Sequence, residues 1–211
     1  MVIYGRKEAA MKVDCQKRES GDERRLAIAK AARALIVERG LEGLRTRDIA
    51  ARVGINIATL HYHVPSKEAL VALVAQSLKQ EFKDQGNRRP RDGKTGQQLL
   101  RMEIEDVVES MIDAPDRLSI MAELIERSRR DPSIADIIRP MTGYWKTMLA
   151  DVFAIGAKDG TLRSDLDPAA AAQIFLGTVA SWRAAEPSRA EIEAVFSELE
   201  RAFVAPVSKG D

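Results

Sequence analysis

The chain is poor in several residue types. Its 211 residues include one cysteine and two histidines, and aromatic side chains make up 5%. The lone Cys15 excludes a disulfide framework within the chain and any cysteine-based zinc site, and it fits a reducing compartment. Long apolar runs are also missing. The longest, AAAAQIFLGTVASW at 169–182, is too short to span a membrane, and MVIYGRKEAAMKV at the start lacks the apolar core of a signal peptide. A soluble, unexported, cytoplasmic protein without a membrane partner is expected. The length suits a small module joined to a larger one.

Net charge is only +1, but it is unevenly distributed. Residues 1–70 carry 14 Lys and Arg against 9 Asp and Glu, and residues 71–211 carry 19 against 23, which makes the two parts +5 and −4. Such asymmetry suits a polyanion-facing module fused to a part with other duties, and on charge alone it suits chance segregation equally well.

Helical signals run throughout and strand signals are almost absent. DERRLAIAKAARALIVER at 22–39 puts Ile28, Ala32, Leu35 and Ile36 on one face, with Gly40 at the place of a left-handed cap. Thr46 is expected to cap a short helix TRDIAARV, which Gly54 ends. Asn56 caps a third helix through His63, and Pro65 with Ser66 stops it and caps the next. That fourth helix, 67–85, aligns Leu70, Leu73, Val74, Leu78 and Phe82, and the polar stretch 86–96 reads as a mobile loop. Further helices are expected at roughly 96–113, 116–130, 132–158, 168–184 and 188–204, punctuated by proline and glycine. The fold class is all-α: a tail at 1–20, a three-helix unit at 21–66, and a larger helical domain at 67–211.

The stretch NIATLHYHVPSKEAL at 56–70 holds both histidines. Two short helices joined by a tight glycine turn, with a longer helix behind them, form a helix-turn-helix, whose second short helix lies in the DNA major groove. Leu60 must turn inward with Ile49, Val53 and Ile55, so Ile57, Thr59, His61 and Tyr62 lie on other faces. Hydroxyls and imidazoles there can bond base edges or phosphates, and Lys67 can meet the backbone at the start of the fourth helix. A metal site does not fit, because His61 and His63 are two positions apart and diverge by about 200° on a helix. GKT at 93–95 lacks the glycine of a phosphate-binding loop, since Arg88 stands there.

LEGLRTRDIAARVGINIATLHYHVPSKEALVALV at 41–74 resembles the N-terminal domain of the TetR family of transcriptional repressors, and the resemblance extends over about 22–80. It implies that Thr46, Arg47, Thr59, Tyr62, His63 and Lys67 contact phosphates and that Asn56, Ile57 and Ala58 read bases. The family usually places tyrosine where His61 stands. Either a charged His61 replaces that phosphate contact and DNA affinity rises toward pH 6, or His61 packs neutral and pH matters little. Ile57 suits a thymine methyl better than a hydrogen bond.

For residues 81–211 the resemblance implies a helical ligand-binding and dimerisation domain. Met102, Met121, Trp145 and Met148 are candidates for an effector pocket, and the methionines serve equally well as core fillers. Glu123 and Glu126 either greet a cationic ligand or lie on an exposed face. The run 169–182 is apolar nearly all round, and the helix after it carries a second apolar stripe. Phe175, Val179, Ile192, Val195, Phe196, Leu199 and Phe203 are therefore expected at a homodimer interface, the alternative being a monomer whose helix 169–182 is its own central core element. The expected protein is a homodimeric repressor on a palindromic double-stranded operator, released by an apolar or amphipathic effector, with no cofactor and no catalytic role. The alternative is a helical binding protein or enzyme, using Glu123 or His61 as acid or base, whose N-terminal likeness is only structural.

Overall fold

The computed structural model describes residues 21–182 and 187–206; Cys15 and the N-terminal tail lie outside them. The described residues form nine α-helices: α1 (Gly21–Arg39), α2 (Thr46–Val53), α3 (Ile57–His63), α4 (Lys67–Asn87), α5 (Gly96–Ile112), α6 (Pro115–Ser128), α7 (Pro132–Asp159), α8 (Pro168–Ser181) and α9 (Arg189–Phe203). One 3-10 turn, Leu41–Gly43, follows α1, and one isolated bridge joins Leu162 to Val204. No helix among the described residues is long and apolar enough to cross a membrane.

Local chemistry accounts for most helix ends. Gly54 takes the left-handed conformation that closes α2, at φ 75° and ψ 32°. The Asn56 side chain accepts from the Thr59 N–H at 2.7 Å and starts α3, and the Ser66 hydroxyl accepts from Ala69 N–H at 3.1 Å and starts α4. Two expectations at helix ends differ. Thr46 is the first residue inside α2, and the extended Arg45 precedes it without any side-chain cap. Gly40 has a positive φ of 70° but an extended ψ of 171°, so it leads the chain into the 3-10 turn instead of making a left-handed cap.

Two hydrophobic cores lie along α7. The first gathers Ile28, Leu35 and Ile36 of α1, Ile49 of α2, Leu60 of α3 and the buried face of α4, together with Ile120, Met121 and Leu124 of α6 and Ile134, Ile138 and Met141 of α7. The second packs Leu99 and Leu100 of α5, Leu149, Val152 and Phe153 of α7, Phe175 of α8 and Phe196 and Phe203 of α9. At the head of α5 the chain comes so close to α7 that a Cβ on Gly96 would lie 2.1 Å from the Gly156 Cα. Only glycine permits that approach.

The α8–α9 pair corrects the expected interface. Phe175, Ile192, Phe196 and Phe203 are buried inside the protomer, and the Phe175 and Phe196 rings meet at 5.4 Å. Val179 and Leu199 are half-buried against the same core. Of the seven residues, Val195 alone is exposed, and Ile174 joins it as an outward apolar residue. A helix apolar on every side does not announce which side its own chain covers.

The turn after α4 is also unlike the expected mobile loop. Arg88 meets Glu109 at 2.5 Å, Arg89 meets Asp106 at 3.0 Å, and Arg91 meets Glu103 at 2.5 Å. Glu103, Asp106 and Glu109 are three apart along α5 and therefore share one face. The arginines strap the end of α4 to that face.

Candidate DNA-binding interface

The second short helix, α3, is held by one residue and exposes most of the others. Leu60 is fully buried among α1, α2 and α4, so burial of one leucine, about 1.5–3 kcal/mol, fixes the rotation of the helix. That rotation leaves Asn56, Ile57, Ala58, His61 and Tyr62 exposed, with Tyr62 84% accessible. Thr59 and His63 are half-buried. The His63 ring meets Tyr62 edge-on at 5.2 Å, and its carbonyl accepts from Arg25 of α1 at 3.1 Å. Asn56 is engaged through its carbonyl oxygen as the cap of α3, and both of its amide N–H groups remain for another partner.

Beside α3 an open groove of about 640 Å³ separates the start of α2 from the start of α4. Its floor is Leu44, Pro65 and Leu70, and its polar wall is Arg45, Thr46, Arg47, His61, Ser66 and Lys67. Three of those wall residues are cations and none is a carboxylate. The basic side chains of this half divide cleanly. Arg52 pairs with Glu38 through two bonds of 2.8 and 2.9 Å, and Arg39 pairs with Asp48 at 3.0 Å. Those pairs fasten α2 to α1. Arg45, Arg47 and Lys67 have no ion-pair partner among the described residues and face solvent. Arg45 and Ser66 were not among the expected contacts. In the sequence, Arg45 is a cation one residue ahead of a helix start, next to Thr46, which is the better cap by residue type.

Polar links tie α6 to this half. Arg117 donates to Glu81 of α4 at 2.9 Å, and Glu81 also pairs with Arg33 of α1. The Glu123 carboxylate accepts the Leu41 N–H, and Arg127 pairs with Glu42 of the 3-10 turn. Glu123 is therefore occupied in capping that turn, a role that neither a cationic ligand nor an exposed face anticipates. Glu126 faces Arg129 and Arg130 at 3.7 and 3.9 Å. Burial alone would raise the Glu81 carboxyl, yet the hydrogen bond and charge of Arg33 and the charge of Arg117 carry it below its ordinary value.

The four effector-pocket candidates are divided between the cores. Met121 is buried in the first core, and Trp145 packs against it with its ring edge-on to Phe82 at 5.0 Å. Met102 and Met148 lie against the second. Along α5, burial pushes the Glu103 and Asp106 carboxyls up, against the opposing pull of Arg91 on the first and of Arg89 and Arg91 on the second.

A free basic groove flanking an exposed short helix is the geometry of a helix-turn-helix reader, and comparison with known proteins agrees. The family model described as bacterial regulatory proteins, tetR family, matches residues 28–74, and that of the BetI-type transcriptional repressor C-terminal domain matches 97–180. The chain belongs to the TetR family. It is 35% identical over 77 residues to the tetracycline repressor protein class D of Escherichia coli, an alignment spanning 36% of this chain and 34% of that one. A regulator from Saccharomonospora viridis, solved in complex with choline, superposes with a TM-score of 0.78 at 22% identity, covering 88% of this chain and all of that one. AibR, solved with isovaleryl coenzyme A and operator DNA, superposes with a TM-score of 0.70 at 22% identity over 87% of this chain and 99% of its own. At such identities the likeness to these two structures is one of fold.

Proposed function

We propose that this protein is a ligand-responsive transcriptional repressor that binds a palindromic operator as a homodimer and leaves it when a small apolar or amphipathic molecule binds. Residues 21–66 serve as the DNA-binding unit and the following helices as the effector and dimerisation unit. The observation that carries the reading is the pairing of α3, exposed at Ile57, Ala58, His61 and Tyr62, with a carboxylate-free groove of Arg45, Arg47 and Lys67. The cations and Thr46 hold phosphates, which fix position, and the start of α3 meets base edges, which carry sequence information. Regulation, and not catalysis, is the role assigned to the chain.

Dimerisation has a geometric reason, because two recognition helices must reach half-sites roughly 34–36 Å apart or a multiple of it. The outward side of α8 and α9 supports it: Ile174 is 52% exposed, Val195 38%, and a Cβ placed on Gly177 would meet open space. For the effector, the stretch of α7 between Met141 and Leu149, where the two cores adjoin, carries Trp145 and Met148 and is the place assigned to it. Displacing α6 against that stretch pulls on Glu81, which pairs with Arg33 of α1, and on the 3-10 turn between α1 and α2. Coupling of this kind is typically about 1–3 kcal/mol.

The test is a mobility shift with a random pool of duplexes at rising salt, alongside sedimentation. Retarded complexes that weaken steeply with salt, from a protein that sediments as a dimer, are the expected outcome. A protein that retards no duplex at low salt is not a repressor of this kind.

A further inference from the structure

We infer that His61 takes up a proton when α3 meets DNA, so that operator affinity rises as pH falls from 8 to 5.5. The inference rests on the DNA-binding reading above and adds a pH-sensitive contact to it. His61 is exposed on α3 and forms part of the groove wall that carries Arg45 and Arg47 from the α2 side and Lys67 from the α4 side. The nearby carboxylates are already engaged. Asp48 of α2 is paired with Arg39 of α1 at 3.0 Å, and Glu68 of α4 is hydrogen-bonded to the Ser66 side chain and attracted by the neighbouring Lys67. On α3 itself the neighbours are Tyr62 and His63, whose rings pack on each other, and Arg25 of α1 is held at the His63 carbonyl. The wall around His61 thus contains positive charge and hydroxyls but no anion.

Only a ligand supplies the missing negative charge. An imidazole changes its charge between pH 5 and 8, and an opposite charge within about 4–6 Å favours its protonated form. A phosphate held by Arg45, Arg47 and Lys67 comes to lie beside the imidazole, which then binds a proton as part of the docking. The tyrosine expected at this place from the family resemblance would offer a hydroxyl and no titration in this range. The sign follows from linkage: if the complex holds more protons than its free partners, lowering pH favours the complex. His63 is half-buried against Tyr62 and absent from the groove wall.

The experiment measures affinity for a labelled duplex selected from a random pool, at constant ionic strength between pH 5.5 and 8.0. The parent, His61→Gln, His61→Tyr and His63→Gln are compared by slope, whatever their absolute affinities. The parent is expected to bind on the order of tenfold more tightly at the acid end, which corresponds to uptake of a fraction of a proton at each recognition helix over this range. Both His61 variants are expected to be flatter than the parent, and any slope that survives in them but is lost in His63→Gln belongs to His63, which the family resemblance also places on a phosphate. Titration calorimetry of the parent in two buffers of different ionisation enthalpy near pH 6.5 gives the proton count without any substitution, and net uptake is expected. A flat parental profile with no proton uptake overturns the inference while leaving DNA binding intact, as does a His61→Gln variant that keeps the parental slope. Absence of binding at every pH overturns both readings.

Discussion

Two groups of cations stand at opposite ends of α4 and differ in what faces them. At the N-terminal end, Arg45, Arg47 and Lys67 border a groove without carboxylates. At the C-terminal end, Arg88, Arg89 and Arg91 each meet a carboxylate on one face of α5. The residue types are nearly the same. The difference teaches that a run of positive charge acquires its role from the nearest opposite charge: unpaired, it is available to a polyanion, and paired, it fastens one helix to another.

The sharpest way to break that comparison is to remove the free group. Replacing Arg45, Arg47 and Lys67 together by alanine is expected to lower DNA affinity by about a hundredfold or more and to reduce the salt slope by about one unit per lost phosphate contact. Stability should stay within about 0.5 kcal/mol, because these side chains form no ion pair among the described residues. Salt-dependent binding and thermal unfolding of the same preparation check both halves of the statement.

A smaller effect is expected at the junction. Glu81→Gln leaves Arg33, whose side chain is 15% exposed, without its carboxylate partner. The expected cost is about 1–2 kcal/mol, reduced from the value of a fully buried pair because Glu81 is 35% exposed. Arg33 and Arg117 hold the Glu81 carboxyl below its ordinary value. Its contribution is therefore present above the ordinary carboxylate range and lost as pH falls through the folded-state value, so parent and variant should converge in acid. Urea unfolding at pH 7 and at pH 4 measures the gap.

The smallest effect has the opposite sign. Burial raises the Glu103 carboxyl, so its ionised form costs stability as pH rises through the raised value, even with Arg91 beside it. Glu103→Gln is expected to be neutral or stabilising by up to about 1 kcal/mol at pH 8, and to lose that advantage toward pH 4. Melting curves across this range check it. A variant markedly less stable than the parent at pH 8 would mean that the strap depends on the charge of this particular carboxylate.

What the sequence made legible follows from how local its causes are. The end of α2 and the starts of α3 and α4 are readable because Gly54, Asn56 and Ser66 act on residues within three positions of themselves. Leu60 was identified as the inward residue of α3 by helical spacing alone, and it is fully buried. The resemblance supplied the roles of the exposed residues around it, which spacing does not assign. What stayed hidden depends on distant partners. Glu123 reaches a backbone N–H 82 residues away, and nothing in its neighbourhood foretells that. Arg88, Arg89 and Arg91 read as a polar loop because their carboxylates lie on the next helix. Phe175 and Phe196 read as interface because two apolar stripes do not say whether they cover each other or a second chain.

The central claim, that the start of α3 reads base edges while the groove beside it holds phosphates, is tested most directly by sequencing the duplexes that the parent and Ile57→Ala each select from one random pool. Ile57 is 45% exposed at the first position of α3 and carries no polar group, so its removal should leave phosphate contacts intact. A two-fold symmetric consensus is expected for the parent. For Ile57→Ala the same spacing is expected, with preference relaxed at one symmetric pair of positions, most simply the loss of a thymine on each side. Identical base preferences at every position for the two proteins would contradict the claim and would take α3 out of the major groove.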